Sequence, residues 1–446
     1  MLSTCRELPT EPARALDVPD GLPRGIDLGR IANSDVALDR FGADLVYSMT
    51  DQCLLADEPA YRAFKGFRDK TQNSGWRMFE QALEHGIDSL DDPAPSLVQL
   101  FAELDRIPDW VDFDQLHRGA VAYWRAGPLV PMVLAYSVIG VGFTDYAASR
   151  PVLFSGRMTN RDHIGQRLLE SFRYIARAYT PGGMVRSVEG FKHTARVRMI
   201  HATVRHTLSR SPDWDWINWG IPINNFDAMD TQGGKFGVEV VDSLARSGVR
   251  FSAGELEDIF ALTRYVGYVI GVPEEILHTD EQDARRKHEL HKVLEPPGDE
   301  GNRRIVRGII DFSCEESLGG YDVLPPWLAK VMTVERRKKL SYGLLCAWQP
   351  REITEQVGVE SDAWRFVLPA ARPFIRLADL WGRRHPERDA ARTAKVLAEF
   401  DKAIAMREGE QHALAEPEAL ARDVAAGGAT VTQSYGAQRK DQPGRP

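Results

Sequence analysis

Cysteine is scarce in this sequence: four residues, Cys5, Cys53, Cys314 and Cys346, stand far apart among 446, with no C-x-x-C pair. That spacing excludes a disulfide framework and a thiolate zinc or iron–sulfur site, and the absence of C-x-x-C-H excludes the usual covalent haem attachment. Basic excess is missing too. The chain has 56 Lys and Arg against 64 Asp and Glu, a formal net charge of -8. A protein that binds nucleic acid by neutralising phosphates needs the opposite balance, so no nucleic-acid partner is expected.

Long hydrophobic runs are also lacking. The most apolar stretch, Pro128 to Phe143, has 16 residues with Pro131 inside it. A membrane-spanning helix needs about 20. The run is therefore expected to be a buried core helix and not a transmembrane segment, with a peripheral membrane contact left open. The first 21 residues scatter charges and prolines where an export signal needs a basic start and an apolar run. The expected location is cytoplasmic. Alternating β-branched segments between turn dipeptides are scarce, so little β-structure is expected.

What is present is helical periodicity. Segments such as SLVQLFAELDRIP, HIGQRLLESFRYIARAY, HTARVRMIHATVRHTL and ELEDIFALTRYVGYVIGV place apolar residues at intervals of three and four. Gly86 and Gly248 fall where helices should end, Ser96 falls where one should start, and Ser252 with Glu255 makes an S-x-x-E box before an apolar run. The fold class expected is all-α. The expected organisation is an irregular N-terminal segment over 1–30, a single helical domain over 31–422, and a disordered tail over 423–446. The connection from Ser209 to Phe226 holds Trp214, Trp216 and Trp219, which marks it as a structured loop whose tryptophans wall a cavity or fill a core edge.

One helix carries chemistry. At 100° per residue, Val197, Val204 and Leu208 fall within about 60° on one side of His201, and Arg198 and Arg205 fall within about 60° on the other. The imidazole thus stands between an apolar stripe and a basic edge. A flat, dianionic metal macrocycle needs that combination: an imidazole for iron, aliphatic side chains against the ring, and guanidinium groups for the propionates. A core histidine beside an ion-paired basic face is the other reading of the same spacing. Glu275 and His278 form one Glu-x-x-His motif, of which a di-iron carboxylate site needs two, and no second stands in a suitable setting. His288 and His291 lie at i, i+3 in a charged stretch that reads as a solvated helix.

The run Val197-Arg198-Met199-Ile200-His201-Ala202-Thr203-Val204-Arg205, with Trp219-Gly220-Ile221-Pro222-Ile223-Asn224 downstream, resembles the rubber oxygenase (latex clearing protein) and fungal mycophenolate-pathway oxygenase family. The resemblance spans about Ala43 to Leu290. It implies a globin-like helical core with additional helices and one non-covalent haem b, with His201 as proximal iron ligand and Arg198 and Arg205 beside the haem. On the opposite face the rubber enzymes carry an R-x-x-K-T cluster. The matching residues here are Arg167, Glu170 and Ser171, so Arg is kept, Ser replaces Thr, and Glu stands in place of Lys. A glutamate there implies a distal acid/base rather than an amine that caps the iron.

The function expected from these readings is a haem-dependent oxygenase, with O2 and an apolar, unsaturated, diffusible small molecule as partners. A non-catalytic haem carrier or partner-binding helical protein and, further off, a di-iron oxidoreductase are the alternatives.

Overall fold

The computed structural model describes residues 18–67, 72–155, 161–316, 330–360 and 363–405. Among them there are helices and no strand, so the chain is all-α, as the periodicity predicts. The segment from 423 onward lies outside the described residues.

The architecture is built around the histidine helix, Glu189–Ser209, which packs against the helices Arg161–Ala178, Glu58–Phe67 and Ala253–Val269. Because it is enclosed, its polar residues must be satisfied internally. Thr194, Thr203 and Thr207 donate their hydroxyls to the carbonyls of Gly190, Met199 and Thr203, one turn back, and so need no solvent. Phe191, Met199, Ala202 and Leu208 fill the apolar side.

The apolar run after Pro128 forms a short α-helix, Leu129–Met132, that widens into a π-helix over Val133–Gly140. Every residue of the π segment is buried. It is core, as expected, and offers no surface to a membrane. A second π segment, Thr231–Glu239, continues the helix Asn225–Asp230 and runs on into Val240–Ser247. The two π segments pack together, and the Ser137 and Ser243 hydroxyls meet at 2.8 Å where the first crosses the helix that follows the second. π turns recur at functional sites because each extra residue re-aims side chains that a regular helix would direct elsewhere. No helix among the described residues is long and apolar enough to cross a membrane.

The expected stops and starts mostly hold. Ser252 and Glu255 make the reciprocal capping box of helix Ala253–Val269, and Gly248 follows the helix that ends at Ser247. Ser96 is a correction: the helix there is Pro95–Leu104, with Ala94 before it and proline, whose missing N–H costs nothing in a first turn, opening it. Of the three tryptophans, Trp214 is core, and Trp216 and Trp219 pack half-buried against it. The Trp214 indole donates to the Gly220 carbonyl at 2.9 Å, and Trp214 packs edge-on with Phe154 and Trp219 over Leu208.

Helix Ala253–Val269 lies tightly on Phe113–Trp124 because Gly119 admits the backbone of Asp258; a methyl group at 119 would overlap the Asp258 carbonyl. Gly119→Val should therefore lower stability by at least about 1–3 kcal/mol, the usual cost of overpacking, read as a reduced urea midpoint. A wild-type midpoint would show that the two helices separate freely.

Candidate functional site

The histidine helix borders a cavity of about 1190 Å³, above the roughly 300–1,000 Å³ usual for a small-ligand pocket. Val197, Ile200, His201 and Val204 line it as one helical stripe at i, i+3, i+4 and i+7. Both π segments supply wall, through Val138 and Ile139 and through Gln232, Lys235 and Phe236. Glu170 and Ser171 line the same cavity from helix Arg161–Ala178. The fold therefore brings His201 and two of the three residues matched to the distal cluster to one space. Glu170 is buried. Arg167 lies on that helix three residues before Glu170, but its side chain falls outside the described residues.

The two arginines of the R-x-x-H-x-x-V-R run part company. Arg198 does not line the cavity. Its Nε and Nη2 donate to the Asp57 carboxylate at 2.7 and 2.8 Å, and Nη2 also donates to Glu103 at 2.7 Å. Burial works against its charge, yet these two acids outweigh it and raise the pKa further. Its guanidinium is spoken for.

Arg205 lines the cavity and has no ion pair among the described residues. It donates instead to three main-chain carbonyls, those of Pro222 at 3.1 Å, Ile223 at 2.8 Å and Asp57 at 3.4 Å. Burial lowers its pKa to about 10. A fully buried guanidinium whose partners are all neutral attracts an anion in the adjoining space. Ile223, which also lines the cavity, holds φ at 54°. For a β-branched residue that backbone costs roughly 1–3 kcal/mol, and here it aims the Ile223 carbonyl at Arg205.

A second cavity imidazole, His193, lies two turns before His201 on the same helix. Burial, then Arg177, Arg196 and Arg173, depress its pKa to about 3, so it is neutral. Its ring stacks on Tyr174. The spacing 193, 197, 201, which puts both imidazoles on one helix face, is the signal for it in the sequence. Trp214, Trp216 and Trp219 do not line the cavity.

The Glu-x-x-His motif comes apart in space. Glu275 is exposed, whereas His278 is buried with Nε2 at 3.0 Å from both the Phe260 carbonyl and the Thr263 hydroxyl. It is a core residue bonded through Nε2 alone, with Nδ1 buried and without a hydrogen bond, and the di-iron alternative loses its ligand pair.

The reading of His288 and His291 as part of a solvated helix is overturned. Both are buried on helix Glu281–Leu294, against acids from the strand-free stretch 227–239. His288 Nδ1 lies 2.7 Å from Asp230 and its Nε2 3.0 Å from Glu239; His291 lies between Asp227 and Asp230 at 3.4 and 3.5 Å. Arg30 holds Asp227 with two hydrogen bonds and reaches Glu295, while Lys235 pairs with Asp145. His291 stands near enough to carboxylates to suggest a cation site, but Arg30 and Lys235 already supply the positive charge there. Two members of this network, Asp227 and Lys235, line the cavity.

Burial alone would lower the His288 pKa, but Asp230 and Glu239 outweigh it and hold it at about 9. An unfolded histidine releases its proton near pH 6.5. The stabilisation is thus complete below about pH 6.5 and is lost as pH rises towards 9. The urea midpoint should fall across that window, and His288→Gln should flatten the fall. A wild-type midpoint that is level from about pH 6.5 to 9 would contradict the charge pairing.

Comparison with known proteins agrees with this geometry. Residues 124–378 match the family model described as the ER-bound oxygenase mpaB/B'/Rubber oxygenase catalytic domain. The chain is 26% identical over 331 residues to the rubber oxygenase of Streptomyces sp. (strain K30), covering 69% of this chain and 77% of that protein. It also shares the fold of latex clearing protein in the closed state, with a TM-score of 0.58 and 15% identity over 80% of this chain and 91% of that one. With the matched region enclosing His201, both π segments and most of the cavity wall, the chain belongs to the mpaB/rubber oxygenase catalytic-domain family.

Proposed function

We propose that this oxygenase-family protein uses haem b and O2 to oxidise an apolar, unsaturated small molecule of isoprenoid or lipid type. The observation that carries the reading is the pairing, in one largely apolar cavity, of an imidazole at His201 with the buried, carboxylate-free guanidinium of Arg205. These residues fit a haem: a nitrogen donor for iron, the Val197, Ile200 and Val204 side chains for the ring, and Arg205 for a propionate. Arg198 serves the same group indirectly, by fixing Asp57 and thereby the chain whose carbonyl Arg205 also grips. When bound, haem iron would supply the binding and activation of O2.

The residues of the chain do the remaining work. Glu170, which lines the cavity, would hold or move a proton at its carboxylate oxygens, and the neighbouring Ser171 hydroxyl would orient a polar atom there. Val138, Ile139 and Phe236 keep water from an oxidisable substrate. The cavity exceeds what a small ligand alone requires, which leaves room for substrate beside the cofactor. The rubber polymer of the Streptomyces relative is not carried over, because the Lys of the distal cluster is Glu170 here.

Purified protein supplied with haem should show a Soret band that His201→Ala removes. Arg205→Gln should weaken haem binding by roughly tenfold, the equivalent of about 1.4 kcal/mol, with the fold intact by circular dichroism. A chain that stays colourless after haem addition would overturn the proposal. Glu170→Gln should retain the Soret band while reducing O2 uptake with an unsaturated isoprenoid by about 10²-fold or more. Unchanged uptake would remove Glu170 from the chemistry.

A further inference from the structure

The buried carboxylates and histidines beside the cavity form an ordered line. It begins at Glu239, whose Oε1 also receives Lys292, a side chain 42% exposed. It continues through His288, with Nε2 at 3.0 Å from Glu239 and Nδ1 at 2.7 Å from Asp230 Oδ1. The second oxygen of Asp230 makes no hydrogen bond and lies 3.5 Å from His291 Nδ1. His291 Nε2 then lies 3.4 Å from Asp227 Oδ1, and Asp227 lines the cavity. Carboxylate and imidazole alternate without interruption from near the surface to the cavity wall.

We propose that Glu239, His288, Asp230, His291 and Asp227 form a proton relay between solvent and the cavity lined by His201. The proposal rests on the oxygenase reading, in which a haem held by His201 would take up an electron and the cavity beside it would need a compensating proton. For each passage, one proton is taken from water at Glu239 and one leaves Asp227 for the cavity, and no electron moves along the line. Each imidazole accepts at one ring nitrogen and releases at the other, then exchanges tautomers before the next proton. The two long links on either side of His291, whose ring stacks on Phe226, are where transfer is slowest.

A structural role alone does not account for the arrangement. Asp227 is already held by Arg30 with two hydrogen bonds and by Asn224, so it needs no histidine to be satisfied. Arg30, Lys235 and Lys292 face the line from three elements, and Asp145 and Glu295 face it with opposite charge. Gln349, from the C-terminal part, donates to the other oxygen of Glu239 at 3.0 Å. The acids Asp145, Asp227, Asp230, Glu239 and Glu295 are thus met by three fixed cations, and the proton on His288 adds a further positive charge. His288 keeps its proton to about pH 9, so the line is loaded at neutral pH. Gly234 is part of the construction: a side chain there would overlap both Asp230 and His288 and part the pair.

The test uses the haem-loaded full chain, reduced in a stopped-flow instrument by reduced methyl viologen, a one-electron donor that carries no proton. A pH-indicator dye in weakly buffered solution follows proton uptake, and the Soret shift follows the electron. Wild type should take up a proton as the haem is reduced. Asp230→Asn and His288→Gln should slow uptake by tenfold or more while the Soret shift keeps its rate, an uncoupling that loss of structure alone does not produce. Should either variant fail to fold, Glu239→Gln at the solvent end makes the same prediction. No uptake in wild type, or uptake at the wild-type rate in folded, haem-loaded variants, overturns the relay alone. A wild-type chain that binds no haem ends the oxygenase reading and the relay with it.

Discussion

The pair between Arg30 and Asp227 is the constraint on which the cavity side of this molecule depends. Arg30 has no solvent exposure, and it meets Asp227 at 2.6 and 3.0 Å. Two charges taken out of water are stable only when fully matched, and removing one partner of such a pair typically costs about 3–5 kcal/mol. The match ties the chain near residue 30 to the helix Asn225–Asp230, and through Glu295 to the loop after Glu281–Leu294. Asp227 is then held at the cavity wall, Asp230 lies one turn on, and the π segment that follows starts from a fixed point. Arg30 lies at the end of the stretch read as irregular. Its place could not be inferred from the local pattern.

The histidine helix shows how one sequence feature divides into two roles. Arg198 and Arg205 are symmetric about His201 in sequence and share a basic edge. In the fold, one meets Asp57 and Glu103 while the other meets only carbonyls. The first becomes a structural tie, and the second hydrogen-bonds only to neutral carbonyls, with Asp57 acting on its charge from beyond ion-pair distance. In the function proposed above, that difference suits this basic helix edge to an anionic cofactor. The strained backbone at Ile223 belongs to the same device, since it directs a carbonyl to the arginine without neutralising it.

Much of this is legible in the sequence. The 3.6-residue period gave the all-α class, and the seam at His201 pointed to the residues that line the cavity, Val197 and Val204 included. Glu170 and Ser171, matched to a distal cluster, line the same cavity as His201. His288 and His291 were not legible, because their partners lie 49 to 64 residues away and their own neighbours are charged. A charged stretch looks solvated until the opposing acids are known to be buried with it. The Glu-x-x-His pair is not a ligand pair because the 3₁₀ turn ends at Ile276, before His278, leaving Glu275 exposed and His278 buried.

The sequence by itself determined the helices, the lack of a cysteine spacing for a thiolate metal site, and the place where an imidazole meets an apolar stripe and a basic edge. These are properties of composition and local period, and they survive without knowledge of the neighbours. The tertiary structure decided which charges are cancelled and which are left to act. Arg198 finds its acid 141 positions away and Arg30 finds its own 197 positions away. Whether a buried charge stabilises the fold or attracts a ligand depends on that partner, and only folding brings the partner into place.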